Sequence, residues 1–234
     1  MNKKYEMTSI AIEWQGGKLY RIKALKSFSD VKVGDLGGYI ENESNLSQTG
    51  NAWVYDEAKV YGEAWICDNA QICDTSMVFG NARVFRDAKV YGNAWIFGNA
   101  RIYDNAKVHD SADVFDDARI YDTADVFGDV IVCDNVSVHD NAKIYDTAFV
   151  YGNAEVFGNA KVHGNVIVCD NAMVFDNADI FGNFNVHDVM KICGDNKIHG
   201  SKKNISKYTL LIFYFIYKNN KRNLNPNAWN KAYM

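Results

Sequence analysis

The sequence predicts an all-β protein built as one parallel β-helix of about eight triangular coils, with a β-hairpin cap before it and a short cap after it. Three observations carry that prediction. Residues 50–199 divide into 25 hexapeptides without insertion or deletion, as "GNAWIF-GNARIY-DNAKVH" (residues 92–109) illustrates. An unbroken internal period outranks other sequence signals. Within each unit the fifth residue is Val or Ile throughout, from Val54 to Ile198, and the third is nearly always Ala. The chain of 234 residues also holds a single proline, as expected where strands must donate to a ladder.

Taken in chain order, residues 1–37 predict the hairpin cap, because "TSIAIEW" and "KLYRIKAL" are strand-like runs around a "QGG" turn. Residues 38–199 form the solenoid, with Ile40 and Leu46 already in its inward register. Each hexapeptide is one short strand and one corner. Positions three and five share a side of the strand because side chains alternate. A small and a β-branched residue therefore face a narrow interior. Gly or Asp at position one and Asn at position two tolerate tight turns and positive φ. Three units close an 18-residue coil, so residues n, n+18 and n+36 stack, and the rod is roughly 40 Å long. Residues 200–234 form a terminal cap strand, Leu210–Tyr217, and a tail.

Composition excludes some functions. A net charge of −4 lacks the basic footprint of a nucleic-acid binder. The start of the chain has no continuous apolar h-region. The longest apolar run, "YTLLIFYFIY", has ten residues, against the ~20 that span a bilayer as a helix. The expectation is a cytoplasmic protein without a membrane partner.

The spacing of an aliphatic residue and a small one four positions later, as in Val54/Ala58 and Ile96/Ala100, resembles the hexapeptide-repeat left-handed β-helix superfamily. That resemblance implies the left hand of the coil. Within it, the GNA-x-V-Y units and the segment before them look like uncharacterised members found in phages and prophages, over residues 5–195. One departure is the aromatic that follows the aliphatic position, where the superfamily has a small or acidic residue. The resemblance implies two enzyme classes. Hexapeptide acyltransferases are trimers that bind acyl-coenzyme A along the rod and use a histidine as general base. The γ-class carbonic anhydrases need three histidines converging on zinc across a trimer interface.

The residues favour structure over catalysis. All five histidines (His109, His139, His163, His187, His199) and all five cysteines (Cys67, Cys73, Cys133, Cys169, Cys193) fall at position six, in the aromatic column. His163 and His199 share a face but lie two coils, roughly 10 Å, apart. No loop interrupts the repeats to wall off a pocket. No catalytic residue, metal or cofactor is therefore assigned. Symmetry could still bring His109 or His139 from different subunits together. Asp104, Asp122 and Asp140 stack and repel unless a cation sits between them, but the glycine-rich nonapeptides of calcium-binding β-rolls are absent. Arg86 stands between Asp68 and Asp104, which predicts an ion pair.

Position four points outward and should carry specificity. One face, from Trp53 to Lys197, is mostly basic and solvated. A second presents Met77, Trp95, Ile131, Phe149 and Ile167 as an exposed apolar strip, the mark of an interface, and homo-oligomer contact is its expected use. A third carries Arg83, Arg101 and Arg119 near Trp65, a candidate site for an anion or an acidic partner, or else a solvated ladder paired with corner aspartates. A regular ice-binding face is not expected, because position four is too mixed. The expected function is a non-enzymatic, rigid solenoid that binds a protein partner, plausibly phage-derived and inhibiting a bacterial host defence protein. The alternative is an acyltransferase using acyl-coenzyme A at a trimer interface.

Overall fold

The structure, a computed structural model, describes residues 3–201. It is a left-handed parallel β-helix whose strands are mostly two residues long. On one face Trp53, Gln71, Lys89, Lys107, Asp125, Lys143, Lys161, Asp179 and Lys197 pair in register, nine levels in all. The second and third faces repeat this at Lys59 to Asn185 and at Trp65 to Lys191.

The interior follows from the two inward columns. Ala58, Ala88 and Ala100 at position three and Val60, Val90 and Ile102 at position five have no exposed surface. They belong to one continuous core running the length of the rod. Successive coils are joined by backbone bonds such as Trp95 N to Ala112 O at 3.0 Å and Arg101 N to Ala118 O at 2.9 Å.

The corners explain positions one and two separately. Position one is left-handed in every coil described, with φ of 58° at Asp68, 59° at Asp104 and 57° at Asp122. Aspartate suits it because its side chain also accepts from the backbone one coil up. Asp74 Oδ2 accepts from Gly92 N at 2.8 Å and Asp134 Oδ2 from Gly152 N at 2.9 Å. Asn at position two does not take positive φ, contrary to expectation. Its role is a side-chain amide ladder: Asn141 donates to Asn159 at 3.1 Å, and Asn159 to Asn177 at 2.9 Å. Such a ladder satisfies one donor per coil at a fixed spacing, which rewards Asn without requiring a special backbone.

The cap is a hairpin of β1 (Tyr5–Trp14) and β2 (Gly17–Ala24), paired antiparallel with Trp14 opposite Gly17. Its central residues Gln15 and Gly16 both have positive φ, as a two-residue type I′ turn requires. β3 (Leu36–Ile40) is the switch element. It pairs antiparallel with β2 and parallel with Lys59–Val60. A Cβ on Gly37 would lie 2.5 Å from the Val54 carbonyl oxygen and 2.7 Å from the Trp53 ring. Glycine there is a condition of the cap seating on the first coil.

Trp53 corrects one expectation. It begins the basic column, but it is 1% exposed because the cap folds over it. Tyr5 and Phe28 meet its ring edge-on at 6.1 and 5.4 Å. Lys4 is buried beside it, donating from Nζ to Ala52 O at 2.8 Å, over the Phe28 ring at 5.2 Å. The buried ammonium thus closes the carbonyl end of the first coil. Burial, followed by the charge of Lys26, lowers its pKa to about 8. At the far end Met190 stands at an inward position yet is 42% exposed; the next position of its stack, 208, lies outside the described residues. The expected cap strand Leu210–Tyr217 lies outside the described residues. No described helix is long and apolar enough to cross a membrane.

Candidate functional site: an arginine-lined groove

On the third face Trp65, Arg83, Arg101 and Arg119 occupy successive strands in register. The period of 18 places their side chains one strand spacing apart, about 4.8 Å. Beside them runs the position-six column of the same face. Phe85 stacks on Tyr103 at 4.9 Å, Tyr103 on Tyr121 at 5.0 Å, and Tyr121 on His139 at 4.8 Å. Trp65, Arg83, Phe85 and Arg101 together line an open groove of about 210 Å³. Trp65 is 42% exposed, and the three arginines are exposed.

The electrostatics separate these arginines from their neighbour. Among the described residues, the arginine ion pairs are Arg21 with Glu57 and Arg86 with Asp104. Arg86 meets its expected partner and also lies over the Phe85 and Tyr103 rings at 5.9 and 5.8 Å. Arg83, Arg101 and Arg119 have no carboxylate within ion-pairing distance among the described residues, so the expected pairing with corner aspartates does not occur. Three like charges at strand spacing repel modestly in water, by about 1 kcal/mol per neighbour. An anion seated across them relieves that repulsion and offers the fork of each guanidinium a bidentate partner.

The apolar face is not the exposed strip expected from sequence. Met77 and Ile167 are buried at 8% and 7% exposure, and Trp95, Ile131 and Phe149 are half-buried. Ladder neighbours at 4.8 Å and the rings of position six cover them: Phe149 stacks on Tyr151 at 4.7 Å, and Trp95 meets Phe79 edge-on at 6.3 Å. Asp113, midway along this column, is only 2% exposed.

His109, His139, His163 and His199 sit in ring stacks. His109 lies between Tyr91 at 4.5 Å and Phe127 at 4.9 Å, and Phe181 separates His163 from His199. The structure adds a feature that the column analysis missed. His109 Nε2 is 3.2 Å from Asp125, His139 Nε2 is 3.1 Å from Glu155, and His163 Nε2 is 3.0 Å from Asp179. The signal was present in the sequence: an acid stands sixteen residues after each of these histidines. Lys or Arg holds that place after Tyr91, Tyr103, Phe127 and Tyr145. All five cysteines are free. Burial first, and nearby aspartates next, push the Cys67 and Cys73 thiols up to about 12. They are therefore protonated and poor nucleophiles at neutral pH.

No protein-family profile matches the chain. A 39-residue stretch is 46% identical to the uncharacterized acetyltransferase YdcK of Escherichia coli (strain K12), covering 17% of this chain and 12% of that protein. The similarity thus covers a small part of either protein.

Proposed function

We propose that this solenoid is a non-enzymatic binding protein that presents its arginine face to an acidic protein surface. The observation that carries the reading is the Trp65–Arg83–Phe85–Arg101 groove, in which guanidinium groups with no carboxylate partner among the described residues adjoin an exposed tryptophan. Tryptophan and arginine are the residues most enriched at binding hot spots. A solenoid supplies the rigidity that keeps the ordering cost of association low. In its narrower form the proposal makes the chain a phage-derived inhibitor of a bacterial host defence protein, working in the cytoplasm as a homo-oligomer. Resemblance to phage proteins alone supports the phage and inhibitor parts.

A second reading, an acyltransferase taking acyl-coenzyme A between subunits, is favoured by the short match to an acetyltransferase. The same arginines would then face the phosphates of the cofactor. One experiment separates the two: tagged chain captures partners from bacterial lysate, with Arg101→Glu as control, and the purified chain is titrated with acetyl-coenzyme A. A stoichiometric acidic protein captured by the native chain and lost with Arg101→Glu supports the binding protein. Saturable acetyl-coenzyme A binding, with an identical capture profile for both chains, overturns it in favour of the transferase.

A further inference from the structure

Further up the edge that carries Arg83, Arg101 and Arg119, the charge changes sign. Asp122 and Asp140 occupy position one of successive coils, and His139 stands between them in sequence and in space. One imidazole nitrogen and one oxygen from each carboxylate lie within 4.8 Å of one another. We propose that Asp122, His139 and Asp140 form a binding site for a first-row divalent cation of the zinc type, with Glu155 as the positioning residue behind the histidine.

The case starts from the protons. A carboxylate only accepts, so the contact between His139 Nε2 and Glu155 Oε1 at 3.1 Å makes Nε2 the donor. In the neutral ring Nδ1 then carries the lone pair, and Nδ1 is the atom turned toward Asp140, 3.5 Å from its Oδ2. A lone pair aimed at carboxylate oxygens is repulsive unless a proton or a metal ion sits between them. A carboxylate behind the ring is the arrangement that orients metal-binding histidines and raises their basicity.

Local charge points the same way. Among the described residues, no lysine or arginine ion-pairs with Asp122, Asp140 or Glu155, whereas Asp104, one coil lower, is taken by Arg86. Each aspartate spends one oxygen on the backbone above it: Asp122 Oδ2 accepts from Asp140 N at 3.2 Å, and Asp140 Oδ2 from Gly158 N at 3.0 Å. The second oxygen of each has no hydrogen bond among the described residues. Ligand atoms around a tetrahedral ion with bonds of about 2.1 Å lie roughly 3.4 Å apart.

The other histidines serve as internal controls. His109 and His163 each have an acid behind Nε2, but each faces a single aspartate at Nδ1, Asp110 at 3.2 Å and Asp146 at 3.5 Å. Gly92 and Gly164 occupy the positions where a second would stand. His187 has Asp188 at 2.7 Å and Asp170 at the place of the second aspartate, but the ligand atoms of this trio do not converge as those around His139 do, and its sixteenth-residue position, 203, lies outside the described residues. The cluster of Asp116, Cys133 and Asp134 makes a poor alternative. Its thiol is buried at 6% exposure, and it holds no imidazole with a carboxylate behind the ring. An imidazole with two carboxylates suits zinc, cobalt or manganese better than calcium, which takes six to eight oxygens.

The test uses the full chain, free of affinity tag and stripped with chelator, titrated calorimetrically with Zn²⁺ and followed by visible absorption with Co²⁺. One equivalent of Zn²⁺ should bind. His139→Phe, which keeps a ring in the stack, should weaken binding at least tenfold, as should Asp122→Asn, which keeps the acceptor for Asp140 N. Glu155→Gln should weaken it about tenfold. His109→Phe, His187→Phe and Cys133→Ala should leave it unchanged. Unaltered melting of each variant shows that the coil is intact. Absence of Zn²⁺ binding, binding indifferent to His139→Phe, or Ca²⁺ binding as tight as Zn²⁺ would each overturn the proposal.

Discussion

The apolar face and the arginine face occupy the same position of successive hexapeptides, one corner apart, yet one is closed and the other open. Met77 and Ile167 are buried, whereas Trp65 is 42% exposed and Arg83, Arg101 and Arg119 reach into solvent. Both columns point outward, so direction alone does not set exposure. Large apolar side chains stacked at about 4.8 Å lie across one another and against the position-six rings. Arginines carry their charge past the same rings and keep it hydrated. An outward column of a solenoid is therefore either a ladder or a surface, according to the reach and polarity of its residues.

The comparison can be broken from inside the coil outward. The largest effect should come from Val114→Asp, which places a charge in a column with no exposed surface. A loss of about 4 kcal/mol or more is expected, with hydrogen exchange showing the neighbouring turns open. Ile167→Asp tests whether the apolar face is closed: a cost of about 2 kcal/mol in denaturant unfolding fits a buried ladder. A change below about 0.5 kcal/mol would return it to the surface class. Phe149→Asp should cost less than Ile167→Asp, since Phe149 is half-buried.

A smaller effect tests the closed cap. Lys4 has a folded-state pKa lowered to about 8 against an ordinary value of 10.5. Between those values the unfolded chain binds the proton and the folded chain does not, so the Lys4 contribution to stability rises with pH. Lys4→Met should remove that rise, read as the difference between the two chains' unfolding free energies from pH 8 to 10.5. A difference independent of pH would sink the assignment. The smallest effect on stability belongs to Arg101→Glu, expected within about 0.5 kcal/mol in thermal unfolding. Its consequence should fall on partner capture instead.

Much of this was legible in sequence because a solenoid turns spacing into distance. With every coil 18 residues long, the inward columns, the ring stacks of His109 and His163, and the alignment of Arg83 with Arg101 all follow from counting. The partnership of Arg86 with Asp104 followed in the same way. The groove's four lining residues did not all follow, because Phe85 joins only through the side on which its ring stacks. The acids behind His109, His139 and His163 were countable at sixteen residues. They are not apparent from the columns, which align residues at equal positions, because this contact crosses from position six to position four.

What the sequence determined alone was the coil: period, inward register, corner residues and hairpin turn, each a local requirement of strand alternation and backbone φ. What only the tertiary structure decided was exposure. Trp53 lies under the cap because β3 switches from antiparallel to parallel pairing and folds Tyr5 and Phe28 onto it. The apolar column closes because its neighbours cover it, and the arginine column stays open because no carboxylate among the described residues stands within ion-pairing distance. Burial depends on what a side chain meets from other coils and from the cap, and a repeat of six states only its direction.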